Sequence, residues 1–201
     1  DEILMLDTIA KALREKRFTA GAINFDRYEV KFEIDEKGKP ISVYFKESKD
    51  ANKLVEEFML LANRTVAEKI GKAPKGKKPK VLPYRIHDLP DPEKLDNLAQ
   101  FIARFGYRLR TSGTKTDVSK SINHLLDDIQ GKKEENLIET VSIRAMQKAR
   151  YSTHNIGHYG LAFDYYTHFT SPIRRFPDMM VHRLVTRYMA VSYTHLRAHE
   201  T

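Results

Sequence analysis

The spacing of apolar residues divides the first part of the chain into a helix and a hairpin. Residues 1–17 repeat at helical spacing and end in basic residues, which predicts an amphipathic helix. Val30, Phe32 and Ile34 then alternate with polar residues, as do Ile41, Val43 and Phe45, and a Gly- and Pro-containing stretch separates the two runs. This alternation predicts a β-hairpin. The helix is expected to turn one set of residues inward: Ile3, Leu6, Ile9, Ala10 and Leu13.

The pattern of the remaining chain is mainly helical. A long helix is predicted from Ser48 or Asp50 to about Ile70, with Leu54, Val55, Phe58, Leu61, Ala62 and Val66 as its buried stripe. Three further helices are predicted, from Asp91-Pro92 to Gly106, from about Asp117 to Ile129, and from Glu134 to Arg150. A last helix is expected to begin at Pro172 and to bury Ile173, Met180, Val181, Leu184, Val185 and Tyr188. Together these elements predict an α+β fold, helix-rich with a small antiparallel β component.

The start of the last helix concentrates positive charge. Thr170 or Ser171 is predicted to cap it and Pro172 to occupy its first position, where the missing N–H costs nothing. Arg174 and Arg175 then fall in the first turn, where the helix dipole already favours anions. A phosphate group would satisfy both arginines through bidentate hydrogen bonds, so the segment predicts an anion site. The alternative is that the two arginines only pair with carboxylates.

Two polar residues follow the arginines along the same helix. Asp178 and His182 step by four from Arg174, so Asp178 is predicted to orient Arg174 and His182 to continue the polar row. The alternative is an ordinary solvated helix face. Histidines elsewhere in the chain lack a known metal-site spacing, and the pair His154 and His158 is separated by a glycine that spoils helical geometry. A histidine metal site is therefore not predicted.

Composition narrows the classes of protein and partner. The 201 residues fit one domain or the larger part of one, and 41% hydrophobic content argues against disorder. No apolar run approaches the roughly 20 residues that a membrane-spanning helix needs. The absence of cysteine excludes disulfides and is compatible with a cytoplasmic protein. A net charge of +8 indicates an anionic partner, and charge alone suits nucleic acid or an acidic membrane surface equally.

Several segments together resemble the ribonuclease II/ribonuclease R (RNB) family of exoribonucleases. The resemblance covers residues 1–190 and rests on spaced motifs: Val55-Glu-Glu-Phe-Met-Leu-Leu-Ala-Asn63, Tyr84-Arg-Ile-His-Asp88, His158-Tyr-Gly-Leu161, Tyr166, Thr170-Ser-Pro-Ile-Arg-Arg-Phe176, Asp178 and His182. It implies processive 3′→5′ hydrolysis of single-stranded RNA to nucleoside 5′-monophosphates, assisted by Mg²⁺. No DNA or membrane partner is expected.

The resemblance also implies roles for individual residues. Arg174 is expected to contact the reacting phosphate, and Arg175 is expected to hold the adjacent backbone of the RNA. Glu56 is expected to contact the sugar end of the terminal nucleotides. Phe25 is expected to stack on bases near the 3′ end, worth about 1–3 kcal/mol per base. On pattern alone Phe25 is more typical of a core residue, and Glu56 with its neighbour Glu57 of a solvated helix face. Further RNA contacts are assigned to Tyr166, Ser171 and Arg85, and support of the site wall to Asn63, Asp178 and His182.

One departure from the family concerns the metal. The family binds its metals with closely spaced aspartates, and Asp127-Asp128 stands alone in a helical pattern. Residues 1–190 are therefore interpreted as the C-terminal part of an RNB catalytic domain, with the Mg²⁺ ligands expected upstream and no metal site in the fragment. The fragment is not expected to be catalytic by itself. Residues 191–201 break the helical period and are interpreted as a non-native, adapter-like tail.

Two alternatives belong to other functional classes. The first is a binding module that holds single-stranded RNA in a positive groove with stacking aromatics and does not hydrolyse it. The second is a helical scaffold whose basic faces bind an acidic protein. Release of mononucleotides from 3′-labelled RNA in the presence of magnesium separates the enzyme from the first alternative. Salt titration separates the second alternative weakly, and a preference for single-stranded RNA over other polyanions separates it better.

Overall fold

The structure, a computed structural model, describes residues 1–24, 29–46, 48–76 and 78–197. Its helices and strands, in chain order, are α1 (Glu2–Thr19), β1 (Glu29–Ile34), β2 (Pro40–Lys46), α2 (Asp50–Gly71), β3 (Tyr84–Ile86), α3 (Pro92–Ala103), α4 (Lys115–Ile129), α5 (Glu135–Ala145), β4 (Arg150–Ser152) and α6 (Phe176–Arg197). The predicted α+β class is confirmed. None of the helices in the described ranges is long and apolar enough to cross a membrane.

The predicted hairpin forms, and a second small sheet was missed. Strands β1 and β2 pair antiparallel, with Phe32 opposite Val43 and a register shift at Glu33/Ile34. The helix expected to reach Arg150 ends at Ala145, because residues 150–152 instead form β4 and pair antiparallel with β3. A three-residue strand carries no readable alternation, so only the long-range pairing reveals it.

The helix ends follow local capping chemistry. The Asp91 side chain accepts hydrogen bonds from the backbone N–H groups of Glu93 and Lys94 at the start of α3, with Pro92 in the first position. Thr114 and Asp117 form a reciprocal capping box at the start of α4. Both helix starts therefore lie within two residues of the predicted ones.

Among the residues that the structure describes, the apolar core is divided into three clusters, one of which supports the candidate site. This cluster joins α2, β3 and α6 through Ala67, Ile70, Leu82, Tyr84, Ile86 and Val181. The second joins α3, α4 and α5 through Leu98, Ile102, Leu125, Ile129, Ile138 and Ala145. The third contains Ile23, Leu95, Val118, Ile122 and Met146. The first cluster packs α6 against α2. Such tertiary packing, more than intrinsic helix propensity, stabilises helices in folded proteins.

The predicted inward faces of α1 and α2 were wrong in part. Ile3 is 69% exposed, and the buried residues of α1 are Ala10 and Arg17. Val55 is also exposed, and α2 buries Glu57, Leu60, Asn63, Ala67, Ile70 and Gly71. The physical reason is that three polar side chains, those of Arg17, Glu57 and Asn63, have internal partners and occupy buried positions. The apolar pattern alone therefore did not identify the buried faces of these two helices.

Candidate functional site

The two arginines lie in a turn just before α6 and not in its first helical turn. Residues 172–174 form the turn, and the backbone N–H groups of Arg174 and Arg175 both donate to the carbonyl of Ser171, at 3.3 and 3.1 Å. The prediction that Pro172 begins the helix was therefore wrong. Pro177 lies in the first turn of α6, where a proline lacks no required hydrogen bond.

Asp178 organises this turn through its buried carboxylate. Its Oδ1 accepts the Ser171 backbone N–H at 2.8 Å and Arg175 Nη2 at 2.9 Å, and its Oδ2 lies 2.9 Å from Arg175 Nε. Asp178 is fully buried. It therefore orients Arg175, and the prediction that it orients Arg174 was wrong, because Arg174 lies outside the helix where four-residue spacing applies.

Arg174 is exposed beside this anchored pair. Its Nη2 donates to Ser171 Oγ at 3.3 Å, a long contact that leaves most of the guanidinium donors facing solvent. The adjacent Ile173, predicted to be buried, is fully exposed on the same turn. The turn thus presents one arginine that is fixed by a carboxylate and one that is accessible to a ligand.

Asn63 ties α2 to the segment that leads into the turn. Its Oδ1 accepts the backbone N–H groups of Phe169 and Thr170 at 2.8 and 3.2 Å, and its Nδ2 donates to Tyr166 Oη at 3.3 Å. His182 of α6 supports the same segment, with Nε2 donating to the Phe169 carbonyl at 2.8 Å and its ring stacked on Phe169. Two helices therefore hold the segment from both sides.

These residues border a cleft of about 380 Å³. Glu56, Asn63, Tyr166 and Arg175 all line it, together with Ala51, Asn52, Val55, Met59 and Leu60. Glu56 has a half-exposed side chain, whereas Tyr166 is buried with burial raising its pKa. The structure thus brings four sequence-predicted site residues to one cleft. Phe25, the predicted stacking residue, lies outside the described residues.

Arg85 lies beside this cleft in a second, aromatic group. Its backbone N–H donates to the Tyr166 carbonyl at 2.9 Å, and its guanidinium carbon lies 4.9 Å from the centre of the Tyr151 ring. Tyr151 Oη contacts His168 Nδ1 at 2.6 Å. Sequence reasoning did not single out Tyr151 or His168 for this site. The sequence pattern gave little indication of Tyr151, because this residue lies on β4, a three-residue strand that is recognised only by its pairing with β3.

The histidines near β3 are structural. His87 Nε2 donates to the Gln147 carbonyl at 2.8 Å, and its Nδ1 accepts the Gly160 backbone N–H at 3.0 Å. A Cβ on Gly160 would lie 3.0 Å from His87 Nδ1, so the absence of a side chain at this position permits the close approach of the His87 ring. Burial, together with the nearby His87 and Arg85, lowers the pKa of His158 to about 3. Burial likewise lowers the pKa of His168 to about 4, with Arg175 contributing.

The free energy of unfolding is expected to depend on pH through His158. The folded state keeps this residue neutral, whereas the unfolded chain binds a proton near the ordinary value of 6.5. Its contribution is therefore fully present above pH 6.5 and is lost as pH falls toward 3, by about 1.4 kcal/mol per pH unit. Urea unfolding of the chain between pH 7 and pH 5 measures this slope. His158→Gln should reduce the slope, and the exposed-site control His154→Gln should leave it unchanged; equal slopes in all three proteins would contradict the prediction.

Replacing Asn63 with alanine is expected to destabilise the segment that it holds. The substitution leaves two half-buried backbone N–H groups, those of Phe169 and Thr170, without their acceptor, at up to about 1–3 kcal/mol for each group that water does not reach. Asn136→Ala, at an exposed position of α5, is the matched control. Urea unfolding of both variants measures the difference. A loss no larger than that of the control would show that solvent replaces Asn63 without cost.

The chain has close relatives among known proteins. A family model described as RNB domain matches residues 1–190. Ribonuclease R of Aquifex aeolicus is 40% identical over 189 residues, which make up 93% of this chain and 26% of that protein. RNase R of Mycoplasma genitalium in complex with ribose-methylated single-stranded RNA has a TM-score of 0.77 at 27% identity, over 91% of this chain and 28% of that chain. The same enzyme in complex with double-stranded RNA has a TM-score of 0.78 at 28% identity, over 91% of this chain and 32% of that chain. The chain thus spans about a quarter to a third of the length of these relatives.

Proposed function

The chain belongs to the RNB domain family, and on this premise we propose that the complete protein is a 3′→5′ exoribonuclease that degrades RNA processively to nucleoside 5′-monophosphates. Family membership confirms the resemblance drawn from the sequence motifs. The relatives named ribonuclease R support an exoribonuclease function, and the structures of one of them with RNA support RNA as the substrate class. The observation that carries the proposal is the cleft in which Glu56, Asn63, Tyr166 and Arg175 meet.

Arg174 and Arg175 have different roles in this proposal. Arg174 is exposed, so its guanidinium supplies fixed positive charge to the phosphate that is cleaved, as negative charge develops there. Asp178 orients the guanidinium group of Arg175, which lines the cleft. Arg175 therefore binds the adjacent backbone phosphate and fixes its position. Ser171 links the two arginines, because its backbone N–H donates to Asp178, the partner of Arg175, and its Oγ accepts a hydrogen bond from Arg174.

Glu56 binds the sugar in this proposal, and Tyr166 forms part of the cleft wall. The half-exposed carboxylate of Glu56 accepts hydrogen bonds from hydroxyl groups of the terminal ribose, and the 2′-hydroxyl distinguishes RNA from DNA. Tyr166 is held by Asn63, so its ring forms a rigid part of the wall. Phe25 remains the predicted stacking residue. Arg85, beside Tyr151, contributes positive charge along the path of the strand.

Magnesium is the metal that we propose for the complete protein. Within the described ranges, no group of three or more histidine, aspartate or glutamate side chains is placed to hold a metal ion. The described residues therefore do not fit a metal site, and we assign to this part of the chain only the binding and positioning of RNA. We propose that ligands in other parts of the complete protein hold the metal.

A chimera tests the proposed activity. Residues 1–190 replace the matched segment of Aquifex aeolicus ribonuclease R, which is 40% identical, and the chimera receives magnesium and uniformly labelled single-stranded RNA. The expected product is nucleoside 5′-monophosphate, released from the 3′ end only and abolished by a metal chelator. The unaltered Aquifex enzyme is the control for folding and assay. A chimera that binds RNA and releases no nucleotide would favour a binding module instead.

A further inference from the structure

Arg17 is a buried charge at the C-terminal end of α1 that the sequence motifs did not bring into the site. Its side chain is 5% exposed and that of its partner Glu57, on α2, is 3% exposed. Arg17 Nη2 contacts Glu57 Oε1, and Nε lies 3.4 Å from Oε2, so the two groups meet as a fork. A fork of this kind fixes the plane of the guanidinium.

The same guanidinium reaches a second carboxylate. Arg17 Nη2 lies 3.7 Å from Glu56 Oε1, and the Glu56 side chain is half exposed and lines the cleft. Arg17 therefore connects a buried anchor on one side with a cleft residue on the other. A lysine has one compact charge and lacks the planar fork that allows an arginine to contact both groups at once.

The charges at this point of the structure are balanced across α1 and α2. Glu56 and Glu57 are adjacent on α2 and their carboxylates repel each other. Arg17 lies against both, and Arg14 Nη1 lies 3.8 Å from Glu57 Oε1. Because Glu57 is buried, its geometry is set by packing, and the guanidinium that it orients is in turn fixed relative to Glu56.

We propose that Arg17 is a positioning residue, which holds the Glu56 carboxylate at the mouth of the cleft so that it can bind the terminal ribose. The proposal rests on the proposed function, because it assigns Glu56 a ribose contact. Arg17 itself touches no RNA. Its effect is expected in the preference for ribose at the 3′ end rather than in the chemistry at the phosphate.

The decisive variant removes the buried pair as a unit. Arg17→Met together with Glu57→Met replaces both buried charges by apolar side chains of similar volume, and such replacements often preserve stability. In the chimera this variant is expected to keep its melting temperature within a few degrees while kcat/KM for all-ribose RNA falls about tenfold, mainly through KM. The preference for that RNA over the same RNA with a 2′-deoxyribose 3′ end should fall by a similar factor.

A matched control and a combined variant separate positioning from general damage. Arg64→Met with Glu68→Met removes an ion pair of α2 with a 2.9 Å contact that does not line the cleft, and it should leave the ribose preference unchanged. Adding Glu56→Gln to the Arg17/Glu57 variant should cause no further loss, because both changes remove one interaction. Should the Arg17/Glu57 variant not fold, Arg17→Lys gives the same readout with the buried charge retained.

The outcomes distinguish this inference from the proposed function. An unmodified chimera that releases no nucleotide rejects the proposed function and the ribose role of Glu56 with it. An active chimera whose ribose preference survives the loss of Arg17 rejects only the positioning role. Losses that add up when Glu56→Gln is combined with the Arg17/Glu57 variant reject it too, since independent residues give additive effects.

Discussion

Replacing Arg174 with alanine is expected to lower kcat of the chimera about 100- to 1000-fold and to change the Kd for single-stranded RNA little. The reason is geometric. Arg174 is exposed and has one long contact, to Ser171 Oγ at 3.3 Å, so its charge is available to the reacting phosphate. The cleft that we assign to the strand is lined by other residues, among them Glu56 and Arg175, and Arg174 is not one of its lining residues. Single-turnover rates and equilibrium binding, measured on the same preparation, give the two quantities.

Two further variants make the Arg174 result specific. Arg174→Lys keeps the charge without the fork and is expected to recover only part of the rate. Arg187→Ala removes an exposed arginine of α6, remote in sequence from the turn, and should leave kcat unchanged. If Arg174→Ala weakened RNA binding and turnover by the same factor, the residue would be a binding contact without a role in the reacting step.

Replacing Asp178 with alanine is expected to lower the free energy of unfolding of the chain by about 3–5 kcal/mol. The carboxylate is fully buried, accepts the Ser171 backbone N–H and pairs with Arg175, so its removal leaves a guanidinium and an N–H group without their partner. Urea unfolding measures the loss.

The controls for Asp178 vary charge and burial separately. Asp178→Asn retains an acceptor for Ser171 and loses the charge, so an intermediate loss is expected. Asp127→Ala, at an exposed position of α4, should change stability by less than about 0.5 kcal/mol. A loss for Asp178→Ala as small as that of Asp127→Ala would mean that water replaces the carboxylate in the turn.

Elements whose cause is local could be predicted from the sequence. The hairpin β1–β2 follows from strict alternation, and α3 and α4 follow from apolar periodicity together with Asp91 and Thr114 as caps. The gathering of Glu56, Asn63, Tyr166 and Arg175 in one cleft followed from the family resemblance and not from periodicity, since these residues are far apart in the chain. The roles assigned to them stay predictions.

Features whose cause is tertiary could not be predicted. Local propensity allows α6 to begin at either Pro172 or Pro177. The hydrogen bond from the Ser171 backbone N–H to Asp178 favours the later start, and the helix begins at Phe176. Glu57 is inward-facing only because Arg17 lies opposite on α1, and two adjacent glutamates on a helix otherwise indicate solvent. Strand β4 exists only through its pairing with β3.

The carboxylate of Asp178 already compensates the charge of Arg175 before any ligand arrives. Arg174 has no such carboxylate partner among its hydrogen bonds and ion pairs in the described residues, and a cation that is not already compensated is the kind that releases counterions from the phosphates of RNA. Each such contact with a single strand contributes about 0.7 to the slope of log K against log of the salt concentration. The double-arginine motif should accordingly contribute to the ionic-strength dependence of RNA affinity as one cation and not as two.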